Sequence, residues 1–496
     1  MKEEQRMSRE KVKVTFMPDD KSIYVGKGIS ILKASELAGI TISSLCGGRG
    51  LCGKCKVQVS GVDKSPSAAE LKLLSQDEIK MGVRLACSFP LEEDTVVVVP
   101  NESREKRVSI LQEGLKLGEF HLQSDLSKVY MEVEQPTLYN QSSDLERLER
   151  ALRERGFAPV ELSGNLIREL PEKIRSSDYS LTAAIIGNKV ISLEKGDTTQ
   201  KAFGVAIDIG TTTLVGYLMD LNSGRQISVA SKVNPQRVYG SDVMSRAAQV
   251  SERPELIETM QALVMSAINE IIDHLISDSG VKEDYIYKMT IVGNTCMQHL
   301  FLGVSPKYLA LAPYSPVFSR AIRVSAKELG LHINPDGYVH LLPSLAGFVG
   351  ADTMGMILST LIHRSDKIKL AIDLGTNGEI VLGSKDGLTA CSAAAGPAFE
   401  GEHIQCGMIA APGAIDRVII HDDVYIHTIG DAPSIGICGS GLIDAIAEMR
   451  KAGIIHERGR LICEDETKFV KRFKSGKDGN QFVISYGSEK NKTPPW

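Results

Sequence analysis

The chain has 496 residues, more than one domain usually holds, and its 43% hydrophobic and 24% charged residues are typical of soluble globular domains. A net charge of −5 argues against a protein whose main partner is nucleic acid, because such proteins are usually basic. The N-terminus lacks the apolar segment of a secretory signal, and the longest apolar stretch, 341–362, contains Asp352 and several glycines, so we expect it in a core and not in a membrane. Nine cysteines without a signal favour metal binding or free thiols in the cytoplasm.

Residues 1–98 are predicted to form the first domain. Two strands around the turn at 18–20 make a hairpin, and apolar residues at helical spacing predict a helix from Ile29 to Ala38, which Gly39 ends. A cysteine-containing loop follows, and further strands are predicted at 56–59 and 95–99.

The cysteine loop predicts a metal cluster. Five residues separate Cys46 from Cys52, two separate Cys52 from Cys55, and thirty-one separate Cys55 from Cys87. Three ligands in one loop with a distant fourth is the plant-type [2Fe–2S] spacing, with one additional residue in the first gap. Glycines in the loop permit positive φ and bring backbone N–H groups towards the cluster sulfides. A zinc site and inert thiols are the alternatives, but zinc sites usually pair two such turns and Cys87 stands alone.

Residues 12–98, with 84–87 closing the loop, resemble ferredoxins of the adrenodoxin type, and the order of the predicted elements is that of a β-grasp fold. Residues 99–200 are predicted to be a linker and a small α+β middle domain. The linker starts at 100–103, and the segment near 100–140 is expected to let the flanking domains reorient. A capping box, Ser143 to Glu146, begins a helix that ends near Gly156, and 187–188 join two strands of a hairpin.

Residues 201–496 contain an internal repeat. The segment 205–212 recurs 165 residues later as 370–377. Each copy is an apolar strand followed by an aspartate, a glycine and hydroxyl or amide residues, and each leads into a second strand. Duplicated openings of this kind predict two facing halves with a cleft between them.

The repeated turns predict a nucleotide site. Backbone N–H groups and hydroxyls in the turns would hold phosphate oxygens. The predicted contributors are Gly210, Thr211, Thr212 and Thr213 in the first copy and Gly375, Thr376 and Asn377 in the second. Asp208 and Asp373 would face each other and hold Mg²⁺ through waters, and the ion would offset the charge of the phosphates. The alternative is a pair of tight turns that only stabilise the fold.

These turns resemble the phosphate-1 and phosphate-2 segments of the superfamily of acetate and sugar kinases, heat-shock chaperones and actin. Segments 292–295, 347–352 and 436–444 are similar to the rest of such a core. The resemblance implies an actin-like ATPase domain with an RNase H-like fold, in a chain of α/β and α+β class. Gly439, Ser440 and Gly441 would lie near the nucleotide at a helix N-terminus. Asp352 and Glu379 are candidates to orient the attacking water, or else a helix cap and a surface carboxylate.

The combination of domains resembles the reductive activators of corrinoid proteins over almost the whole chain. The resemblance implies an ATP-dependent one-electron reductase that uses a [2Fe–2S] cluster, ATP and Mg²⁺ to return Co(II) to Co(I) in a corrinoid protein of a methyltransferase system. Plant-type clusters have reduction potentials near about −400 mV, and each 59 mV by which the acceptor's potential lies below that of the donor lowers the equilibrium constant for electron transfer about tenfold. Because Co(I) is a stronger reductant than such a cluster, its formation requires a second source of free energy. The sequence identifies no electron donor, predicts no nucleic-acid or membrane partner, and leaves a homodimer open.

The second half of the repeat, 367–496, is shorter than the first, 203–366, and ends in Lys- and Gly-rich sequence. The resemblance leads us to expect a further adenosine-binding Gly-Gly segment and helix, so the ATPase domain is predicted to be shortened at its C-terminus. One alternative is a ferredoxin-type electron-transfer protein with a non-hydrolysing ATPase scaffold. Another is a kinase or acyl-activating ATPase with an appended cluster.

Overall fold

The structure is a computed structural model that describes residues 11–40, 42, 48, 50, 53–60, 64–100, 103, 122–157, 159–240, 242–375, 377–394, 404, 406–408, 410–462, 469–476 and 479–486. Three of the predicted site residues, Cys46, Cys52 and Thr376, lie outside this part of the chain.

The N-terminal domain is a five-stranded sheet with helices packed against one face. The strands are β1 (Lys11–Met17), β2 (Lys21–Gly26), β3 (Lys56–Ser60), β4 (Val83–Leu85) and β5 (Thr95–Val98), in the order β2-β1-β5-β3-β4. The helices are α1 (Ile31–Leu37), α2 (Ala68–Leu73) and α3 (Gln76–Lys80). Alternate side chains of β1, namely Val12, Val14 and Phe16, are buried, and Gly39 ends the first helix with a φ of +67°. The parallel pairing of β1 with β5 confirms the predicted β-grasp arrangement.

The middle module is a four-stranded sheet with two amphipathic helices. Its elements are β6 (Leu126–Glu132), α4 (Asp144–Glu154), β7 (Glu161–Leu162), α5 (Gly164–Ser176), β8 (Ser180–Ile186) and β9 (Lys189–Lys195), with strand order β6-β8-β9-β7. The predicted capping box is present, since Ser143 accepts from the backbone N–H of Glu146 and the Glu146 side chain accepts from that of Ser143.

The middle module is packed firmly on the domain that follows it. Leu126 and Ala184 are buried in one cluster with Tyr287 of that domain. The ammonium of Lys128 contacts Glu194 at 2.6 Å and the Tyr287 hydroxyl at 2.7 Å. Residues 126–132 therefore belong to a strand of a docked sheet, and the reorientation of the flanking domains through the segment near 100–140 stays a prediction.

The first half of the C-terminal domain, which is the predicted ATPase domain, contains a six-stranded sheet and a long helix that covers it. Its strands are β10 (Phe203–Ile209), β11 (Thr213–Asp220), β12 (Gln226–Val233), β13 (Ile286–Gly293), β14 (Ile322–Ser325) and β15 (Tyr338–Leu341), in the order β12-β11-β10-β13-β15-β14. Its helices are α6 (Val243–Glu252), α7 (Leu256–Ser279), α8 (Thr295–Phe301), α9 (Ala326–Leu329) and α10 (Ala351–Thr360). Ile268, Ile271 and Ile272 of α7 are buried against the sheet. No helix in the described residues is long and apolar enough to cross a membrane.

The second half repeats the opening of the first. β16 (Lys369–Leu374) pairs antiparallel with β17 (Asn377–Ser384), as β10 does with β11, and β18 (Gly387–Ala394) completes the sheet. The remaining elements are β19 (Ala414–Ile420), β20 (Val424–Thr428), β21 (Gly436–Ile437), α11 (Gly439–Lys451), β22 (Phe473–Gly476) and β23 (Gly479–Phe482). β10 also pairs in parallel with β13, whereas the second edge of β16 pairs with no strand in the described residues. Leu370, Ile372 and Leu374 of β16 are 50–58% exposed.

Candidate functional site

Two of the four predicted cluster cysteines are brought together by the pairing of β3 with β4. Cys55 precedes β3 and Cys87 follows β4, and the N–H of Ala86 donates to the carbonyl of Cys55 at 2.8 Å. The two sulfur atoms lie 3.3 Å apart and neither forms a disulfide. Cys55 is 1% exposed, so one thiol faces the core while the other is half-buried. A pair of adjacent thiols in this setting fits the predicted iron–sulfur cluster.

The glycines of the cysteine loop have the backbone conformation that the sequence predicts. Gly48, Gly50 and Gly53 have φ values of +85°, +70° and +66°. Only glycine adopts this region without strain, and a Cβ at Gly50 would lie 3.1 Å from that of Ala69. At these three positions a side chain would strain the backbone, which agrees with the predicted use of glycine beside a cluster.

A buried ion pair that sequence reasoning missed holds the strand before Cys87. Glu70, 0% exposed, accepts from Arg84 Nε at 3.0 Å, Arg84 Nη2 at 3.1 Å and the N–H of Leu85 at 3.0 Å. Burial by itself raises the pKa of Glu70, but the hydrogen bonds from Arg84 and from the backbone of Ser67 and Leu85 hold this pKa below its ordinary value. Glu70 is thus the positioning residue for the strand that leads to Cys87. The capping box formed with Ser67 was the signal in the sequence.

The four predicted catalytic carboxylates come together between the two halves. Asp208 is at the end of β10, Asp373 at the end of β16, Asp352 in the first turn of α10, and Glu379 opposite Asp373 on β17. The negative charges of Asp352 and Asp373 act on both Asp208 and Glu379, so each of these two groups lies within electrostatic reach of the same pair of aspartates.

The environment of these carboxylates favours their protonated forms. The Asp208 residue is exposed, but many protein atoms surround its carboxyl group, and this loss of hydration, followed by the charges of Asp352 and Asp373, raises its pKa to about 7. Burial and the same two charges raise the pKa of Glu379 to about 7. Glu379 is 7% exposed and accepts from the Ser392 hydroxyl at 3.2 Å, so it is not the surface carboxylate of the alternative prediction. A cation in the cleft would relieve the repulsion among these groups.

Direct coordination of a metal ion by several side chains is not seen in the described residues, where no three His, Cys, Asp or Glu side chains lie close enough together to hold one ion. The binding of Mg²⁺ through waters by Asp208 and Asp373 stays a prediction.

The first phosphate turn is held by side chains that the sequence did not reveal. Gly210 donates its N–H to the Thr213 carbonyl at 3.0 Å, so this N–H is not available to a phosphate as we predicted. A Cβ at Gly210 would lie 2.5 Å from the same carbonyl oxygen. Asn234 donates to the Gly210 carbonyl at 2.8 Å, and the fully buried Arg246 donates to the Thr211 carbonyl. In the second copy the Gly375 N–H donates to the Asn377 carbonyl at 3.0 Å, so this turn is closed one residue earlier than the first.

The third predicted segment begins a helix, as the sequence indicates. Gly439, Ser440 and Gly441 form the first turn of the thirteen-residue α11, after the N-cap residue Cys438. A Cβ at Gly441 would lie 2.1 Å from the Ile415 carbonyl oxygen, so only glycine allows α11 to pack this closely on β19.

The sequence families that match the chain follow the same order as the domains. They are the "2Fe-2S iron-sulfur cluster binding domain" at 14–92, the "RACo linker region" at 116–200, the "RACo middle region" at 203–365 and the "C-terminal domain of RACo the ASKHA domain" at 367–494. "Corrinoid activation enzyme RamQ" of Eubacterium limosum is 31% identical over 457 residues, which are 92% of this chain and 73% of that protein. The chain belongs to the corrinoid activation enzyme family.

Two further relatives of this corrinoid activation family are similar to the chain. A solved "Reductive activator for corrinoid,iron-sulfur protein" is 38% identical, with a TM-score of 0.67 over 96% of this chain and 78% of its own. The "[Co(II) methylated amine-specific corrinoid protein] reductase" of Methanosarcina barkeri is 26% identical over 52% of this chain and 53% of its own length. Membership of the family confirms the [2Fe–2S] domain and the actin-like fold of the C-terminal domain.

Proposed function

We propose that the chain is an ATP-dependent one-electron reductase that returns Co(II) to Co(I) in a corrinoid protein of a methyltransferase system. The observation that carries this proposal is the similarity to a corrinoid activation enzyme over 92% of the chain, which includes both the cysteine loop and the acidic cleft. In this proposal residues 1–98 carry the cluster and residues 201–496 bind the nucleotide. Residues 99–200 form the linker and the small middle domain between them.

The cluster would be held by Cys46, Cys52, Cys55 and Cys87. A [2Fe–2S] cluster supplies one electron at a time, at a potential that nearby hydrogen bonds adjust. The adjacent sulfurs of Cys55 and Cys87 and the left-handed Gly48, Gly50 and Gly53 support this assignment. Glu70 and Arg84 keep the Cys87 side of the loop in place.

The nucleotide would lie between the two repeated turns and the first turn of α11. Asp208 and Asp373 would bind the waters of a Mg²⁺ ion, while Asp352 or Glu379 would orient the attacking water. Because the pKa values of Asp208 and Glu379 are near 7, these groups release protons when the cation arrives. A metal ion held there would offset the charge of the phosphates, which a metal-dependent phosphoryl transfer needs.

The partner should be bound differently in its different cobalt states. A reductase that held the Co(I) or methylated partner as tightly as the Co(II) form would block the methyl-transfer cycle. We therefore propose preferential binding of the Co(II) form, through a modest interface with a short residence time. Calorimetry against a corrinoid protein held in each cobalt state measures this preference, and equal affinity for all states would count against it.

An anaerobic assay of Co(II) reduction, with and without Mg–ATP, tests the central proposal. A corrinoid protein is the electron acceptor, and the loss of its Co(II) absorption is followed in the presence of a chemical reductant. Reduction should require ATP with the wild-type chain and fail with Asp208→Asn, although that variant retains its cluster spectrum. Reduction at the same rate without ATP would instead show a ferredoxin-type electron carrier on a non-hydrolysing ATPase scaffold.

A further inference from the structure

We infer that Lys54 docks the cysteine loop on the second half of the ATPase domain, at a turn formed by residues 404 and 406–408, the docking turn. The Lys54 ammonium donates to the Gly407 carbonyl at 2.9 Å and to the Ile404 carbonyl at 3.5 Å, across more than 350 residues of sequence. Lys54 immediately precedes Cys55 and is half-buried. The lysine thus joins the predicted cluster site to the domain that carries the predicted nucleotide site.

The docking turn is shaped to receive a cation. The Ile404 carbonyl also accepts from the N–H of Gly407 at 2.9 Å, which closes the turn and directs two carbonyl oxygens to one ammonium. The lysine ammonium has three N–H donors, so it can form hydrogen bonds to two carbonyl oxygens over a range of directions. A charged donor on neutral acceptors is stronger than a neutral hydrogen bond.

The docking turn is connected directly to the first turn of α11. Gly407 forms a parallel bridge with Ile437, in which the N–H of Ile437 donates to the Cys406 carbonyl and that of Met408 to the Ile437 carbonyl, both at 2.9 Å. Ile437 is followed at once by Cys438, the N-cap residue of α11.

The docking turn packs closely against β21 at Gly436. A Cβ at Gly436 would lie 2.7 Å from Met408 Sδ and 2.8 Å from the Cys406 carbonyl oxygen. A change in the position of the docking turn must therefore move β21 and the start of α11. Because such coupling is reciprocal, a change at the start of α11 must also alter the cysteine loop. The contact holds whether or not the chain hydrolyses ATP, but its use in coupling rests on the proposed function.

Hydrogen–deuterium exchange on the full chain with its cluster, without nucleotide, tests the dock. In Lys54→Met the amides of Met408 and Ile437 should exchange roughly three- to tenfold faster, the effect of losing one partly exposed hydrogen bond. Lys54→Arg should restore slow exchange, because it keeps a charged donor. Lys56→Met is the matched control, since Lys56 pairs with Glu78 at 2.6 Å inside the first domain. Unchanged exchange in Lys54→Met, or the same change in Lys56→Met, would overturn the inference.

A substitution next to the start of α11 tests whether a change there alters the cysteine loop. Gly436→Ala should push the docking turn away and speed the exchange of the Ala86 amide, which bonds to the Cys55 carbonyl at 2.8 Å. An unchanged Ala86 amide in a folded Gly436→Ala chain would reject the coupling, and if that variant does not fold, the Lys54 variants decide alone. If the exchange results are as expected but the chain reduces Co(II) without ATP, the contact made by Lys54 is supported and the proposed function is rejected.

Discussion

Replacing Glu70 by alanine should detach the strand that leads to Cys87 and with it the iron–sulfur site. Glu70 accepts from two nitrogens of Arg84, from the N–H of Leu85 and from that of Ser67, at 2.7–3.1 Å. Its side chain is 1% exposed and that of Arg84 8%, so the substitution leaves a buried guanidinium without its carboxylate.

The size of the effect follows from this burial. Removing one partner of a buried ion pair costs about 3–5 kcal/mol, against a total of about 5–15 kcal/mol for a typical domain. Glu78→Ala is the matched control, because Glu78 occupies the same capping-box position on α3 but its side chain is 29% exposed. Loss of that cap and its surface ion pair should cost only about 1 kcal/mol.

Urea denaturation under anaerobic conditions, followed by the visible absorption of the cluster at pH 7, measures both variants. With an m-value of about 1.5 kcal/mol/M, Glu70→Ala should lower the midpoint by about 2 M or more and Glu78→Ala by less than about 1 M. Because the folded pKa of Glu70 is lowered, its contribution is present above its ordinary pKa of 4.5 and lost as the pH falls through the folded pKa. The difference between wild type and Glu70→Ala should therefore shrink at acid pH. Equal effects of the two substitutions at pH 7 would refute the reasoning.

Four other predictions concern the cluster and the acidic cleft. Asp208→Asn and Asp373→Asn should each abolish phosphate release from ATP and leave the visible spectrum of the cluster unchanged, because the two sites lie in separate domains. The affinity for Mg–ATP, measured by calorimetry, should rise as the pH increases through about 7, where protons leave Asp208 and cease to compete with the cation; an affinity independent of pH would contradict the raised pKa. Cys52→Ser and Cys55→Ser should each lose most of the bound iron, and one zinc per chain in the wild type would exclude the cluster. Gly441→Ala should displace α11, because its Cβ would lie 2.1 Å from a carbonyl oxygen, and so weaken ATP binding, measured by calorimetry, and lower the melting temperature.

The same raised pKa has a consequence for stability. A carboxyl group whose folded pKa is raised stabilises the fold below its unfolded pKa and loses that contribution as the pH rises through the folded value. Without Mg²⁺, the melting temperature of the ATPase domain should therefore fall as the pH rises through about 7. Asp208→Asn should reduce this fall, and a cation should reverse it in the wild type.

The parts of the fold that the sequence predicted are those with local signals. The β1–β2 hairpin, the capping box at Ser143 and the repeated strand–turn–strand units each depend on residues close together in sequence, and each is present. The repeat itself related Asp208 to Asp373, whereas Asp352 and Glu379 were proposed from the resemblance to the actin-like superfamily.

The contacts that the sequence did not predict join residues far apart. Arg246 reaches the Thr211 carbonyl and Lys54 reaches Gly407 across 35 and 353 residues. No periodicity or motif in the sequence identifies such pairs, because each of these residues is of a type that is common in ordinary helices and loops. The docking of the middle module was not predicted for the same reason, because only the packing of Leu126 against Tyr287 shows it.

The exposed face of β16 determines how the protein behaves in concentrated solution. Leu370, Ile372 and Leu374 point to one side of this strand and are about half exposed, while Ile207 of the equivalent strand β10 is 1% exposed. Within the described residues one edge of β16 pairs with no strand, and an apolar strand with an open edge is a template for pairing with another chain. Two molecules that meet at β16 would extend one sheet into the other, so self-association should increase with protein concentration and be suppressed by a lysine at position 372. Turnover measured at high concentration would then report a mixture of single and paired chains.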